Sequence, residues 1–322
     1  MSSFYPTTFK TTDGTELGGR VYPAAGGLGS EVPGVVLCPG FNCLSTMLNF
    51  PAAAAALQAK GITVLLYDPR GTGSSGGLPR GDIDPTLSVS DLSDALTHLI
   101  SLPSVDPSTV GVLGMSFGGA VGLTAAAVDP RIKFVVAAAP LTDMEFSSPA
   151  QRMRVLRKCA QDRASQVLGN AGVTVAVVNE NGESPVGFGR GVDKEKYGAL
   201  VREGRELAPG HVNRVTLQTY YRLAMWTPWP LWKVLGKKGD GRGGVAGVMF
   251  VIPLKDQMSY PELQKKYYDE IVAGAEDDKR FVKKKLELEQ AGHEDILGDE
   301  YLGSVVDSVK EFVDECGFDE SL

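Results

Sequence analysis

Val110-Gly-Val-Leu-Gly-Met-Ser-Phe-Gly-Gly-Ala120 decides how the rest of the chain reads. A short apolar run passes through Gly114-Met115-Ser116-Phe117-Gly118 straight into a small-residue helix ending near Val128. That is the strand–turn–helix setting of a nucleophile elbow. The turn is so sharp that the residues two before and two after the serine crowd each other, and glycine at 114 and 118 relieves the crowding. Ser116 then stands at the carboxyl end of a sheet, at a helix N-terminus. With 39 glycines in the chain, a bare G-x-S-x-G carries little weight, and the chain supplies its own control in Gly73-Ser74-Ser75-Gly76-Gly77. Leu78-Pro79-Arg80-Gly81 follows that second match, and no helix can start there. Ser75 is read as a loop serine and Ser116 as the nucleophile.

Outward from the elbow, apolar strands alternate with helices. Upstream lie a hairpin over 7–11 and 16–22 turning at Asp13-Gly14, a buried strand over 34–38, an alanine-rich helix over 48–60 and a buried strand over 62–68. Asp84-Pro85 opens a helix over 86–102, with Leu92, Leu96, Leu99 and Ile100 near helical spacing. A further apolar strand covers 134–139. Continuous apolar strands separated by helices predict a mostly parallel sheet covered on both faces, an α/β fold.

The rhythm breaks at Asp143. Helices are expected over 149–169 and over 215–226, where Leu217, Tyr220, Tyr221 and Ala224 keep helical spacing, before Pro228 and Pro230. Lys237–Gly244 reads as a loop. Strand rhythm resumes over 247–254, followed by a helix over 260–273. A last strand follows over 281–288, although its lysine run makes it a poor apolar strand. Gly292-His293 comes next, then a helix over 301–316. The expected organisation is a core of 1–144 and 246–322 with a helical cap inserted at 145–245.

A serine hydroxyl needs a base within reach, and the base needs a carboxylate to fix its tautomer. His293 follows the last strand in a loop able to reach the elbow. His98 falls inside a predicted helix and His211 inside the cap. For the carboxylate, Asp256 in Leu254-Lys255-Asp256 lies just past a strand, and Asp143, just past the preceding one, is its rival. A tetrahedral intermediate needs backbone donors. The amide of Phe117 is one. The other is expected from Pro39-Gly40-Phe41, where Gly40 lets the chain turn and Phe41 points its amide inward. Gly71-Thr-Gly-Ser-Ser-Gly76 also spells G-x-G-x-x-G, but Pro79 and Pro85 exclude the helix that a dinucleotide site requires.

The elbow, the loop Cys38-Pro-Gly-Phe-Asn42, the turn Leu254-Lys-Asp256 and Ala291-Gly-His293, in that order, resemble the α/β-hydrolase superfamily over nearly the whole chain outside the cap. A narrower resemblance rests on Tyr67-Asp-Pro-Arg-Gly-Thr-Gly-Ser-Ser-Gly-Gly-Leu-Pro-Arg80 with Asp82-Ile-Asp-Pro85, and on Thr216-Leu-Gln-Thr-Tyr-Tyr with Ala224-Met-Trp226. These look like dienelactone-hydrolase-like proteins of microbial secondary metabolism, a group that includes the fungal polyketide transferases. The resemblance implies an α/β-hydrolase fold with Ser116, Asp256 and His293 as catalytic residues. It also implies ester or thioester chemistry on a polyketide-derived acyl chain. Dienelactone hydrolases proper use a cysteine where this chain has Ser116, so their substrate does not carry over. Hydrolysis is the first expectation, and acyl transfer from the same serine the alternative. Cyclisation, condensation or simple binding in the same pocket comes third.

Composition bounds the rest. A net charge of −7 argues against a nucleic-acid partner. No apolar run approaches the ~18 residues of a membrane span, and the N-terminus lacks a secretory pattern, so a cytoplasmic protein is expected. Four cysteines without C-x-x-C spacing read as reduced thiols, and three scattered histidines argue against a metal, so no cofactor is expected. Tyr220, Tyr221, Met225, Trp226, Trp229 and Trp232 admit two readings: a helix packed on the core, or the wall of an apolar acyl pocket with Met225 and Trp226 touching substrate. Arg152, Arg154, Arg157, Lys158 and Arg163 are either a solvated helix face or a dock for an acidic acyl-carrier domain.

Overall fold

Strands buried on both faces need no polar alternation, and the inner strands here have none. The computed structural model describes residues 3–24, 31–179, 181–189, 194–207, 212–236, 245–275, 278 and 280–317. In it β4 (Thr63–Tyr67), β6 (Phe134–Ala138) and β9 (Gly247–Pro253) are buried at every position. So is the second half of β5 (Val105–Met115). Together with β1 (Tyr5–Lys10), β2 (Glu16–Tyr22), β3 (Val32–Cys38) and β10 (Val282–Leu288) they form an eight-stranded sheet in the order β1-β2-β4-β3-β5-β6-β9-β10. The first two pairings are antiparallel and the rest parallel. The expected mostly parallel α/β sheet is what forms.

Successive strand residues point to opposite faces, and each face has its own core. On one side Val36, Leu65, Val112 and Val135 meet Leu92, Leu96 and Leu99 of α2 (Pro85–Ile100) and Val121 of α3 (Phe117–Val128). On the other, Leu37, Leu66, Leu113 and Val136 meet Phe50 and Leu57 of α1 (Phe50–Ala59) and Val309 and Phe312 of α9 (Leu302–Gly317). Asp84 caps α2 by accepting the amides of Thr86 and Leu87, with Pro85 at the first helical position where its missing N–H costs nothing. Helix α8 (Pro261–Ala273) adds Tyr268 and Ile271 to the first core.

The lysine run explains itself by position. Among the described residues β10 is an edge strand with a partner on one side only. Lys283, Lys285 and Glu287 alternate outward, while Lys284 pairs with Glu311 of α9 at 2.8 Å.

Between β6 and β9 the chain is not all helix. Helices α4 (Pro149–Val167), α5 (Lys194–Leu207), α6 (Leu217–Leu223) and α7 (Trp229–Trp232) are joined by a two-stranded antiparallel sheet of β7 (Thr174–Ala176) and β8 (Arg214–Thr216). The helix expected from 215 begins at Leu217, because Val215 and Thr216 pair with Val175 and Thr174 and the Thr216 hydroxyl caps α6. Trp232 is fully buried and its indole N–H donates to Thr124 of α3 at 3.0 Å, which seats α7 on the core. Lys237–Gly244 and His211 lie outside the described residues.

Candidate active site

Ser116 joins β5 to α3 with φ 56° and ψ −122°, a conformation that L-residues rarely adopt. The strain is held by the neighbours. The Ser116 amide donates to the Ala138 carbonyl at 2.9 Å, and the Ser116 carbonyl accepts the amides of Gly119 at 3.0 Å and Leu141 at 2.9 Å. No side chain fits on either flank: a Cβ at 114 would overlap the Gly118 carbonyl, and one at 118 the carbonyls of Cys38 and Pro39. This is the geometric content of the two glycines read from the sequence.

His293 and Asp256 meet across the turns that follow β10 and β9, Nδ1 to Oδ2 at 2.8 Å, both buried. The Asp256 carboxylate is held on all sides. Oδ1 accepts the amides of Met258 at 2.8 Å and Ser259 at 2.9 Å, and Oδ2 also accepts Gln264 Nε2 at 3.1 Å. A carboxylate so fixed sets the imidazole tautomer: Nδ1 carries the proton and Nε2 is left as the basic atom. Nε2 has no hydrogen-bond partner among the described residues. Burial alone lowers the basicity of this imidazole, but the Asp256 hydrogen bond and charge outweigh it, so the pKa stands above its ordinary value. Asp143 lines the same cleft as Ser116 and His293, but the carboxylate bonded to His293 is Asp256.

The loop after β3 folds over the elbow. A Cβ added at Gly40 would stand 3.4 Å from the Ser116 Cβ, and the Phe41 and Phe117 rings meet edge to face at 5.8 Å. Phe117 opens α3, so its amide has no acceptor within the helix.

Ser116, His293 and Phe41 line an open cleft of about 980 Å³. Its other walls are mostly apolar: Leu48, Leu141, Val177, Val178, Phe188, Leu200, Tyr220, Leu223 and Met258. Of the aromatic cluster singled out in the sequence, Tyr220 faces this cleft. Met225 is 61% exposed and Trp226 packs at a tilt against Phe117, ring centroids 5.6 Å apart, and neither is among the cleft's lining residues. The α6 helix turns Tyr220 and Leu223 inward, so the two residues beyond its end fall on other faces. The cleft residues from 177 to 189 carry no periodic signal, and composition alone could not have found them. Glu294, next to the histidine, was also passed over.

Cys43 lines the cleft too, but burial, then the nearby Glu203 and Glu294 carboxylates, push its thiol up to about 12. A thiol so far from its thiolate is no rival nucleophile. All four cysteines are free. Ser75 Oγ accepts the Gly18 amide and donates to the Asp68 carbonyl, and His98 bonds Thr7 and stacks on Phe9, so both are packing residues. The Gly71–Gly76 loop wraps the Asp68 carboxylate, which takes the Ser74 amide at 2.8 Å, and the next helix begins only at Pro85. Arg152, Arg154, Arg157, Lys158 and Arg163 all lie exposed on α4.

Comparison with known proteins supports the family and the fold. Residues 35–306 match the alpha/beta hydrolase family. A protein named thiohydrolase from Eupenicillium brefeldianum is 42% identical over 261 residues, covering 81% of this chain and 80% of that one. Polyketide transferase claH from Penicillium crustosum is 34% identical over 318 residues, 97% of each chain. The crystal structure of the alpha/beta hydrolase GrgF from Penicillium sp. sh18 has a TM-score of 0.80 at 29% identity, covering 98% of this chain and 99% of that one.

Proposed function

Since this chain belongs to the alpha/beta hydrolase family, we propose that it cleaves thioesters or esters of an apolar, polyketide-type acyl group through an acyl-Ser116 intermediate. The observation that carries this reading is the strained serine sharing one cleft with a buried histidine whose other nitrogen is bonded to Asp256. Ser116 Oγ attacks the carbonyl carbon and its proton passes to His293 Nε2. The oxyanion takes the amides of Phe41 and Phe117. On collapse, the thiol leaves with the proton from His293. Water then attacks the acyl-serine, gives its proton to His293, and the proton returns to Ser116 as free acid departs.

The acyl chain occupies the apolar part of the cleft. Residues 145–245 act as the cap that encloses it, a role supported by Val177, Val178, Phe188, Leu200, Tyr220 and Leu223 coming from that segment. The polyketide class is taken from the names of the fungal relatives. Acyl transfer to an alcohol is the second reading, favoured by end-to-end similarity to a polyketide transferase. An acidic carrier domain delivering the acyl group would meet the basic face of α4. A cytoplasmic setting belongs to the same proposal and accords with the free thiols.

Intact mass after exposure to a fluorophosphonate tests the nucleophile: wild type gains the adduct and Ser116→Ala does not. Equal labelling of both would remove Ser116 from the mechanism. Incubation with an acyl thioester, with and without alcohols, separates hydrolysis from transfer. Ester formed quickly with little free acid would overturn hydrolysis as the main reaction.

A further inference from the structure

The catalytic histidine is a wall with a space on each side. Beside the apolar cleft lies a second cavity of about 510 Å³, lined by Lys196, Lys255, Gln257, Gln290, Asp295 and, shared with the cleft, Met258, His293 and Glu294. A third, open groove of about 940 Å³ along α5 is also lined by Glu294. Glu294 thus stands where an apolar space holding Ser116 meets a polar cavity and a groove open to solvent. Lys196 of α5 binds the Asp295 carboxylate at 2.6 Å, and Asp295 accepts the Gly292 amide at 2.7 Å, so the rim beside Glu294 is tied to the histidine loop.

Resting on the acyl-Ser116 reading above, we propose that the polar cavity is the route of the hydrolytic water and that Glu294 is a further catalytic residue that holds this water against His293. A water molecule has two O–H bonds. One points at His293 Nε2, which takes that proton as the oxygen attacks the acyl carbonyl. The other is accepted by the Glu294 carboxyl, which keeps its own protonation state throughout. Ser116 Oγ leaves and recovers the proton from His293, so the step balances as water plus acyl-serine giving acid plus serine. Burial raises the Glu294 carboxyl above its ordinary value, yet in either protonation state one of its oxygens can accept. An alcohol has a single O–H and cannot bond both partners. Glu294 therefore favours water over an alcohol, and hydrolysis over transfer.

The test is a product ratio. The enzyme is given a medium-chain acyl thioester of N-acetylcysteamine with a fixed excess of butanol, and free acid and butyl ester are counted by mass spectrometry. Glu294→Leu should lower the acid-to-ester ratio about tenfold, the loss of one good hydrogen bond in the attacking step. Glu294→Gln, which keeps an accepting oxygen, should restore most of the ratio. Gln257→Trp, an exposed wall residue whose replacement narrows the polar cavity, should lower it as well and keeps the test open if Glu294→Leu does not fold. An unchanged ratio in Glu294→Leu or in Gln257→Trp, with Ser116→Ala inert, overturns the water route alone. Thioester turnover by Ser116→Ala at the wild-type rate overturns the acyl-serine reading instead.

Discussion

At Ser116 and His293 the chemistry depends on which atom holds a proton. If Ser116, His293 and Asp256 form one catalytic unit, as proposed, Ser116→Ala or His293→Ala should each slow thioester cleavage by about a thousandfold or more. Asp256→Asn should cost about as much, since an amide no longer selects the productive tautomer. Asp143→Asn, which leaves the His293–Asp256 bond intact, should be mild, and the reverse order would return Asp143 as the acid. The pH profile carries a sign. In the proposed mechanism His293 is a base only when neutral, and Asp256 raises its pKa, so acylation should fail as pH drops through a value above the ordinary ~6.5. Asp256→Asn removes the larger raising partner and leaves burial, which lowers the pKa, opposed only by the smaller effect of the Glu294 charge. The residual rate should therefore keep its plateau to lower pH than wild type. A limb that stays put or moves upward would detach the rate from His293.

Elements carry these residues, and the elbow leaves little room for change. Gly118→Ala should destabilise the protein by about 1–3 kcal/mol in urea unfolding, because its methyl meets the backbone of the loop after β3. Gly303→Ala in α9, where an added Cβ meets nothing within 4 Å, should instead stabilise by about 0.5–1 kcal/mol. In the cleft, Leu223→Trp should shorten the acyl chain accepted, while Met225→Ala at an exposed site should leave chain preference alone. A shift on Met225→Ala alone would restore the sequence reading of that residue as a substrate contact. The elbow was legible because sterics leave glycine the only choice at 114 and 118, and the buried strands because apolar residues run through them unbroken. Their order places Asp256 and His293 on adjacent turns. The β7–β8 pair was not legible, since three-residue strands show no period. Nor was α5, a charged helix with no apolar run to mark it. The cleft walls at Val177, Val178 and Phe188 come from irregular chain, where only tertiary contact assigns a face.

Over the whole molecule, charge is unevenly spread: a net −7 with a basic, exposed face on α4. If that face receives an acidic carrier, Arg154→Glu with Arg157→Glu should slow turnover of carrier-bound acyl groups about tenfold at low salt, mostly through association. The same pair should leave small thioesters unaffected. Equal slowing of both substrates would assign α4 to folding. The β10 edge of the sheet has the contrary task. At β10 the sheet ends in unpaired backbone groups, which are a template for another chain to add a strand. Lysines at 283 and 285 stand exposed on one face of that edge strand. A strand added there would have to desolvate ammonium groups and face the same lysines of a second copy. What makes β10 a poor apolar strand thus also makes its edge a poor template for fibre-like self-association.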